Sequence, residues 1–572
     1  MRPTRFPALG CMLGISLVSA TSVPRDVSSA LTVDLGYGIY QGVHNTTAGL
    51  NVWKGIRYAS PPLGDLRWQA PVLPAPSRNA TIHATAFGPS CPQAPPAPQN
   101  SSTLGDEDCL FLNVYAPQSE PGRQLPVLVW IHGGGYGAGN GQQDMRAIIN
   151  DNDNAFVAVT IQYRLGAFGF LSSAQVAADG VANAGILDQA FALQWVQDHI
   201  GQFGGDARRV TISGESAGAG SVMLLSTAKS GTLGTSLFQN AIAASPYLPP
   251  QYDYNASVPT QRFQDFASRA GCSNTTDTLV CLRGKDSEIL QAANAAANSV
   301  AFYGNWAFLP VTDYDFVATL SSVALEKKQV NGEHILVGNN ADEGSLFVPP
   351  GINSTNALKT WLQGNFPSLN TTVIQHIVDA YASNSTDSTA KFATSGFGPA
   401  NALTTSPVAT GIQQTAYNIY AEATFVCPSY WLSGAFTTAH RTAHHYQYSI
   451  PVALHAADVS GYFGPATPNQ PPVFTDAFRH IWGAQIERGT PAAALTNLTW
   501  PTWVEGETSQ MLNLNTTGGV EFQATLSTGV NATEYREPGL RNAFSTVNAW
   551  SWEAGRGERC AFWREIASLV PI

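Results

Sequence analysis

Residues 209–228 read RVTISGESAGAGSVMLLSTA. The first five, RVTIS, form a short β-branched run of the kind found in buried strands. From Ala217 onward the small and apolar residues suit a helix. Between the two, Gly214 and Gly218 bracket Glu215, Ser216 and Ala217, so a strand enters a sharp turn and leaves it as a helix. Flanking glycines leave room for a strained backbone and for close packing of helix on strand. The serine is then presented at the end of a sheet, with a helix N-terminus behind it that favours developing negative charge. G-x-S-x-G alone arises easily by chance in a chain rich in Gly and Ser. The strand-turn-helix setting makes Ser216 a candidate nucleophile rather than a plain turn residue.

Outward from this turn the same alternation continues. LPVLVWI (125–131), FVAVTI (156–161), NAIAAS (240–245) and HILVG (334–338) read as further buried strands. Helical patterns lie between them. The clearest is DQAFALQWVQDHIGQFGG, where Ala192, Leu193, Val196 and Ile200 share a face, Asp188 sits near the start and Gly204-Gly205 follow the end. Strands alternating with helices predict a large, mostly parallel sheet with helices on both faces. No repeat or long linker divides the chain, so residues 31–572 are expected to form one α/β domain.

The chain has 572 residues and a formal net charge of −11, which argues against a nucleic-acid surface. Its opening, MRPTRFPALGCMLGISLVSATS, places two arginines before an apolar run and ends it in Val18-Ser19-Ala20. This is the layout of a signal peptide over residues 1–20, too short for a membrane span, and it predicts a secreted protein. Eleven N-x-S/T sequons (Asn45, Asn79, Asn100, Asn255, Asn274, Asn353, Asn370, Asn384, Asn497, Asn515 and Asn531) agree with that destination and predict N-linked glycans. Cys11 leaves with the leader. The remaining Cys91, Cys109, Cys272, Cys281, Cys427 and Cys560 are an even set, which in a secreted chain implies three disulfides of open connectivity. No C-x-x-C or paired-His spacing supports a metal site, and no cofactor is expected.

A nucleophilic serine needs donors for the oxyanion it creates. WIHGGGYGAGNG (130–141) follows a buried strand and offers successive backbone N–H groups unencumbered by side chains. A phosphate loop would require G-K-[ST], or G-x-G-x-x-G with a downstream acid, and neither is present.

PVLVWIHGGGYGAG, FGGDARRVTISGESAGAGSV, EDCLFLNVYAP (107–117), NVWKGIRYASPPLGDLRW (51–68) and NAGILDQAFALQWVQDHI (183–200) together resemble the type-B carboxylesterase and lipase family. The resemblance spans nearly the whole mature chain and implies an α/β-hydrolase fold. It implies a Ser–Glu–His triad: Ser216, then Glu343 in GNNADEGSLFV (338–348), then His455 in HHYQYSIPVALHAADVSGYFG (444–464). Asp342 is the rival acid; His444 and His445, inside a preceding strand, are read as structural. The implied oxyanion donors are the N–H groups of Gly134, Gly135 and Ala217, the last also expected as the residue after the nucleophile. The family pattern further implies the pairs Cys91–Cys109, Cys272–Cys281 and Cys427–Cys560, and an ion pair between Arg57 and Glu107. Arg164 with Asp188 is a second candidate pair. Glu215 is expected to tune the site, Ser245 to support the triad or merely end a strand, and His132 to fix its loop.

The expected activity is hydrolysis of a carboxylic ester by way of an acyl-enzyme. The loop between Cys91 and Cys109 holds no aromatic residue for a quaternary ammonium, and it is shorter than the lid of family lipases. An esterase for soluble esters is therefore favoured over an interfacial lipase or sterol esterase. An inactive adhesion-type homologue would have lost a triad member. Peptidases with this turn usually carry Asp as the acid and an added domain.

Overall fold

The computed structural model describes residues 31–99, 105–118, 122–273, 275–382, 401–495, 497–527 and 529–570. The leader expected over residues 1–20 lies outside them, as do the sequons at Asn100, Asn274 and Asn384.

Eleven strands of the described residues form the central sheet: β1 (Val43–Asn45), β2 (Leu50–Arg57), β3 (Phe111–Pro117), β4 (Leu125–Ile131), β5 (Val157–Ile161), β6 (Gly205–Glu215), β7 (Asn240–Ala244), β8 (His334–Asn340), β9 (Thr442–Tyr448), β10 (Gln510–Leu514) and β11 (Ser545–Asn548). Their spatial order is β11-β10-β9-β8-β7-β6-β4-β5-β3-β2-β1. The block from β10 to β5 is parallel throughout, and the pairings at both margins are antiparallel. β4, β5 and β7 are buried along their whole length, as strands covered on both faces must be. Alternate residues of β4 serve two cores. Val127, Val129 and Ile131 pack with Ala192, Leu193 and Val196 of α1 (Ala184–His199) and Val222 of α2 (Ala217–Thr227). Leu128 and Trp130 pack on the opposite face with Phe478, Trp482 and Ile486 of α5 (Pro472–Arg488). Two further helices, α3 (Ile412–Ala421) and α4 (Cys427–Ala435), flank a π-helical turn at Glu422–Val426, and α6 (Trp552–Glu565) closes the chain.

The β4–β6 junction is where the parallel order reverses, with β5 on one side of β4 and β6 on the other. Sheets of this kind place their sites at such a switch point, beyond the carboxyl ends of the strands. Register sharpens this: Ile131 lies opposite Gly214, Ala244 opposite both Glu215 and Gly338, and Asn340 opposite Tyr448. The loops leaving β4, β6, β7, β8 and β9 therefore emerge side by side.

Three readings of the sequence are corrected. α1 begins at Ala184, after Asn183 in a left-handed conformation, and Asp188 is not a starting cap. It is fully buried within the helix and chelates Arg164, whose Nε and Nη2 donate to it at 2.8 and 2.7 Å. Arg57 does not pair with Glu107. It donates to Asp108 at 2.5 Å, while Glu107 takes both forks of Arg67 at 2.6 and 2.7 Å. Adjacent residues of an extended turn point opposite ways, so Glu107 faces the interior and Asp108 the half-exposed rim. Finally, β11 and the exposed hairpin Thr516–Asn542 carry no buried apolar run of the kind sought in the sequence, whereas β10 buries Met511, Leu512 and Leu514 in a run too short to stand out. The disulfides join Cys91 to Cys109, Cys272 to Cys281 and Cys427 to Cys560.

Candidate active site

The turn between β6 and α2 holds Ser216 at φ 57°, ψ −126°, a region that costs a non-glycine residue about 1–3 kcal/mol. Surrounding bonds impose it. Ser216 N–H donates to Ala244 O at 3.0 Å, and its own carbonyl accepts from Gly220 and Tyr247 at 2.8 and 3.1 Å. Gly214 and Gly218 are required by packing: a Cβ at Gly218 would collide with the Ile131 carbonyl, and one at Gly214 with the backbone of Gly218. α2 thereby seats directly on β4.

The loop after β4 lies against this turn. A Cβ on Gly133 would approach both the Ser216 Cβ and a Glu215 carboxylate oxygen at 3.0 Å. Gly134 and Gly135 adopt φ 105° and 63°, which glycine alone adopts freely. Among the described residues, the N–H groups of Gly134, Gly135 and Ala217 donate to no protein acceptor. His132 steadies the loop. It donates from Nδ1 to Gly133 O at 2.9 Å and stacks on Tyr163, and burial pulls its imidazole down to about 4. It is therefore neutral, and unsuited to act as a base.

His455, on the loop after β9, comes within 2.5 Å of Glu343 through Nδ1. The other Glu343 oxygen accepts from Ser245 Oγ at 2.6 Å and from Asn340 N–H at 2.5 Å. Ser245 is thus bonded to Glu343 rather than merely ending a strand. The remaining imidazole nitrogen, Nε2, lies 3.2 Å from Oε1 of Glu215, the neighbour of Ser216. Asp342 faces Ser345 and Gly344, and burial pushes its carboxyl up to about 7; it makes no bond to His455. His444 and His445 are buried in β9 and drawn down by burial to about 4 and 3. His445 is spent on Ser433 and Asn339.

Electrostatically the site is a buried imidazole among three carboxylates. Burial pushes Glu215 well above the usual carboxylate range, with His455 opposing. Burial would lower His455, but Glu215, Glu343 and Asp458 outweigh it and hold the imidazole above its ordinary value. Asp458 was not singled out by the sequence reading, although it stands three residues after the histidine, in H-x-x-D. It accepts from Asn340 Nδ2 at 3.1 Å and Tyr446 OH at 3.0 Å, and burial raises it to about 6.

Aromatic rings wall the rest of the site. Phe425, carried on the π turn, centres 4.4 Å from the His455 ring, and Phe347 lies 5.1 Å away. A π turn in a helix often marks a functional site. Glu422 anchors this one, gripped by Arg559 at 2.7 Å. Trp306 lies across the glycine loop: a Cβ on Gly135 or Gly137 would strike its ring. Tyr247 joins Trp306, Phe425 and Tyr136. Tyr462 and Phe463 instead pack behind the site on Trp130 and Trp482. Among the described residues no cluster of three His, Cys, Asp or Glu side chains is placed to hold a metal, and no helix is long and apolar enough to cross a membrane.

A family model described as "Carboxylesterase family" matches residues 29–531. Lipase 2 of Geotrichum candidum is 33% identical over 378 residues, which cover 58% of this chain and 66% of that protein. Secreted lipase 1 of Botryotinia fuckeliana is 31% identical over 422 residues, covering 67% and 73%. Among solved structures, EstA of Aspergillus niger superposes with a TM-score of 0.75 at 28% identity, covering 95% of this chain and 99% of that one. The fold is the α/β-hydrolase fold of these carboxylesterases.

Proposed function

The chain belongs to the carboxylesterase family, and from that premise we propose that it is a secreted serine hydrolase that cleaves carboxylic esters through an acyl-enzyme. Ser216 attacks the ester carbonyl while His455 Nε2 takes its proton. Glu343 holds the imidazole by Nδ1 and stabilises the imidazolium. The tetrahedral oxyanion is received by the N–H groups of Gly134, Gly135 and Ala217, each such donor being worth about 3–4 kcal/mol in the transition state. His455 then returns the proton to the departing alcohol, and the cycle repeats with water as nucleophile. The observation that carries the reading is the strained Ser216 at the switch point, whose neighbour Glu215 lies 3.2 Å from an imidazole bonded to Glu343 at 2.5 Å.

Secretion is supported by the three disulfides, the leader-like first 20 residues and the secreted relative. Asn79, Asn255, Asn353, Asn370, Asn497 and Asn531 are exposed and suited to carry N-linked glycans. Residues 31–572 act as one domain in this reading, without cofactor.

The lipase relatives favour a second reading, activation at a lipid interface. The described parts of the Cys91–Cys109 loop favour an esterase of soluble substrates, because they are tied down rather than free to swing as a lid. Ala94 N–H donates to Gly137 O at 2.6 Å, Ala97 N–H to Asn305 O at 3.0 Å and Gly105 N–H to Gln291 at 2.9 Å. Ser216→Ala tests the main reading: hydrolysis of p-nitrophenyl esters is lost while the thermal unfolding midpoint is retained. Substantial turnover by that variant would sink it. A sharp rise in rate as a triglyceride passes its solubility limit would instead favour the lipase.

A further inference from the structure

Residues 420–430 read YAEATFVCPSY, and Pro428 explains why this helix does not run regularly. Proline has no N–H to give, and in an α-helix its ring strikes the carbonyl four residues back, here that of Thr424. The chain relieves the clash by widening. Cys427 N–H donates to the Glu422 carbonyl, five residues back, which is the bond of a π turn. The Thr424 carbonyl is thereby released from the helix and accepts from Leu248 N–H at 2.9 Å. The preceding N–H, that of Tyr247, donates to the Ser216 carbonyl at 3.1 Å. Tyr247 also stacks its ring on Phe425 at 5.5 Å, and Phe425 lies on His455 at 4.4 Å. One turn thus reaches the elbow through backbone and the imidazole through a ring.

What holds the turn lies on the other side of it. Glu422 is buried, and its carboxylate accepts from Nε and Nη2 of Arg559 at 2.7 Å, from Nε of Arg556 at 3.3 Å and from the Tyr381 hydroxyl at 2.7 Å. Those four bonds fill the four acceptor positions of a carboxylate. Burial would raise this carboxyl, but Arg559 and then Arg556 outweigh it and hold it below its ordinary value. Both arginines belong to α6, and the residue after Arg559 is Cys560, which is bonded to Cys427. The turn is therefore tied to α6 by charge at its first residue and by a disulfide just after its last.

We propose that Glu422 is a positioning residue for the reaction. Its clamp on α6 holds the π turn, and the turn holds Phe425 against the His455 ring and Leu248–Tyr247 against the elbow. The inference rests on the hydrolytic reading above. Phe425 restrains the imidazole from turning off Glu343, and misplacing a general base by about an ångström costs up to about a hundredfold in rate. The signature is a loss in kcat with little change in KM, because the Glu422 carboxylate has no bond left for a substrate.

The test is a double-variant cycle on p-nitrophenyl acetate, with kcat taken per active site titrated to completion by a fluorophosphonate, so that misfolded protein is not counted. Glu422→Gln and Phe425→Leu are each expected to lower kcat by about tenfold and to leave KM within about twofold. Because Glu422 acts through Phe425, the double variant should lose about ten- to twentyfold, not the roughly hundredfold of independent sites. Glu422→Gln leaves two arginines buried without a counter-charge; should it not fold, Pro428→Ala carries the test. That variant supplies an N–H that competes with Leu248 for the Thr424 carbonyl, and kcat should fall about fivefold while the thermal unfolding midpoint is retained. A merely structural clamp would lower the midpoint and leave kcat per site in place. An unchanged kcat in Phe425→Leu or Pro428→Ala, or a double variant at the full product, overturns the assignment and leaves the hydrolytic reading standing. Absence of ester hydrolysis by the wild type overturns both.

Discussion

Glu215→Gln is expected to shift the acid limb of the pH–rate profile toward lower pH. In the proposed mechanism catalysis needs neutral His455, so that limb follows the imidazole's titration in the free enzyme. Glu215 is 6% exposed and stands 3.2 Å from Nε2. Coulomb's law at that separation and an effective dielectric of about 20 gives about 5 kcal/mol in favour of the imidazolium. That is an upper bound, because burial keeps Glu215 itself partly protonated and glutamine retains a dipole. At about 1.4 kcal/mol per pH unit, a shift of about one to two units remains. Glu343 and Asp458 still act, so His455 does not fall as far as an isolated buried histidine. The assay is kcat/KM for p-nitrophenyl acetate from acid to alkaline pH, read at the isosbestic wavelength of the phenol. Whatever happens to the maximal rate, the variant should keep a larger fraction of it at acid pH than the wild type does. A limb that stays in place, or moves to higher pH, would refute the electrostatic account of Glu215.

Glu343→Gln is expected to lower kcat by about 10³–10⁴, as losing the acid misorients the imidazole, while Asp342→Asn costs far less; the reverse order in steady-state kinetics would mean the wrong carboxylate was chosen. Arg67→Met leaves Glu107 buried and unpaired and should destabilise the fold by about 3–5 kcal/mol, against about 1 kcal/mol or less for Arg57→Met at the half-exposed pair, both read by urea unfolding. Trp306→Ala uncovers the backbone of Gly135 and Gly137 and should move the chain-length optimum on p-nitrophenyl esters toward longer acyl groups; an unchanged profile would place the acyl chain elsewhere.

The parallel core was legible because its strands are short continuous apolar runs bounded by turn signals, as in LPVLVWI and FVAVTI. The hairpin at Thr516–Asn542 was not, since its residues are mostly exposed and offer no periodic apolar face. Ser216 could be read locally: a strained elbow announces itself by the glycines that packing demands on either side. Glu343 and His455 were reached only through resemblance, because residues 112 positions apart in the chain meet through strand order. The Arg57–Glu107 pairing failed for a related reason. Which of two adjacent carboxylates turns inward is set by what the interior offers, and here that is Arg67. Phe425, Phe347 and Trp306 left no local signal, since an aromatic residue that walls a site looks in sequence like any core residue.

The central claim, that Ser216 is the activated nucleophile, is tested most directly by covalent labelling. The native protein is treated with a fluorophosphonate at neutral pH, and the modified peptide is located by mass spectrometry. The account predicts a single stoichiometric adduct on Ser216, formed in step with loss of ester hydrolysis and absent in His455→Ala. An adduct on another residue that accompanies the loss, or full hydrolysis by protein labelled at Ser216, would contradict it.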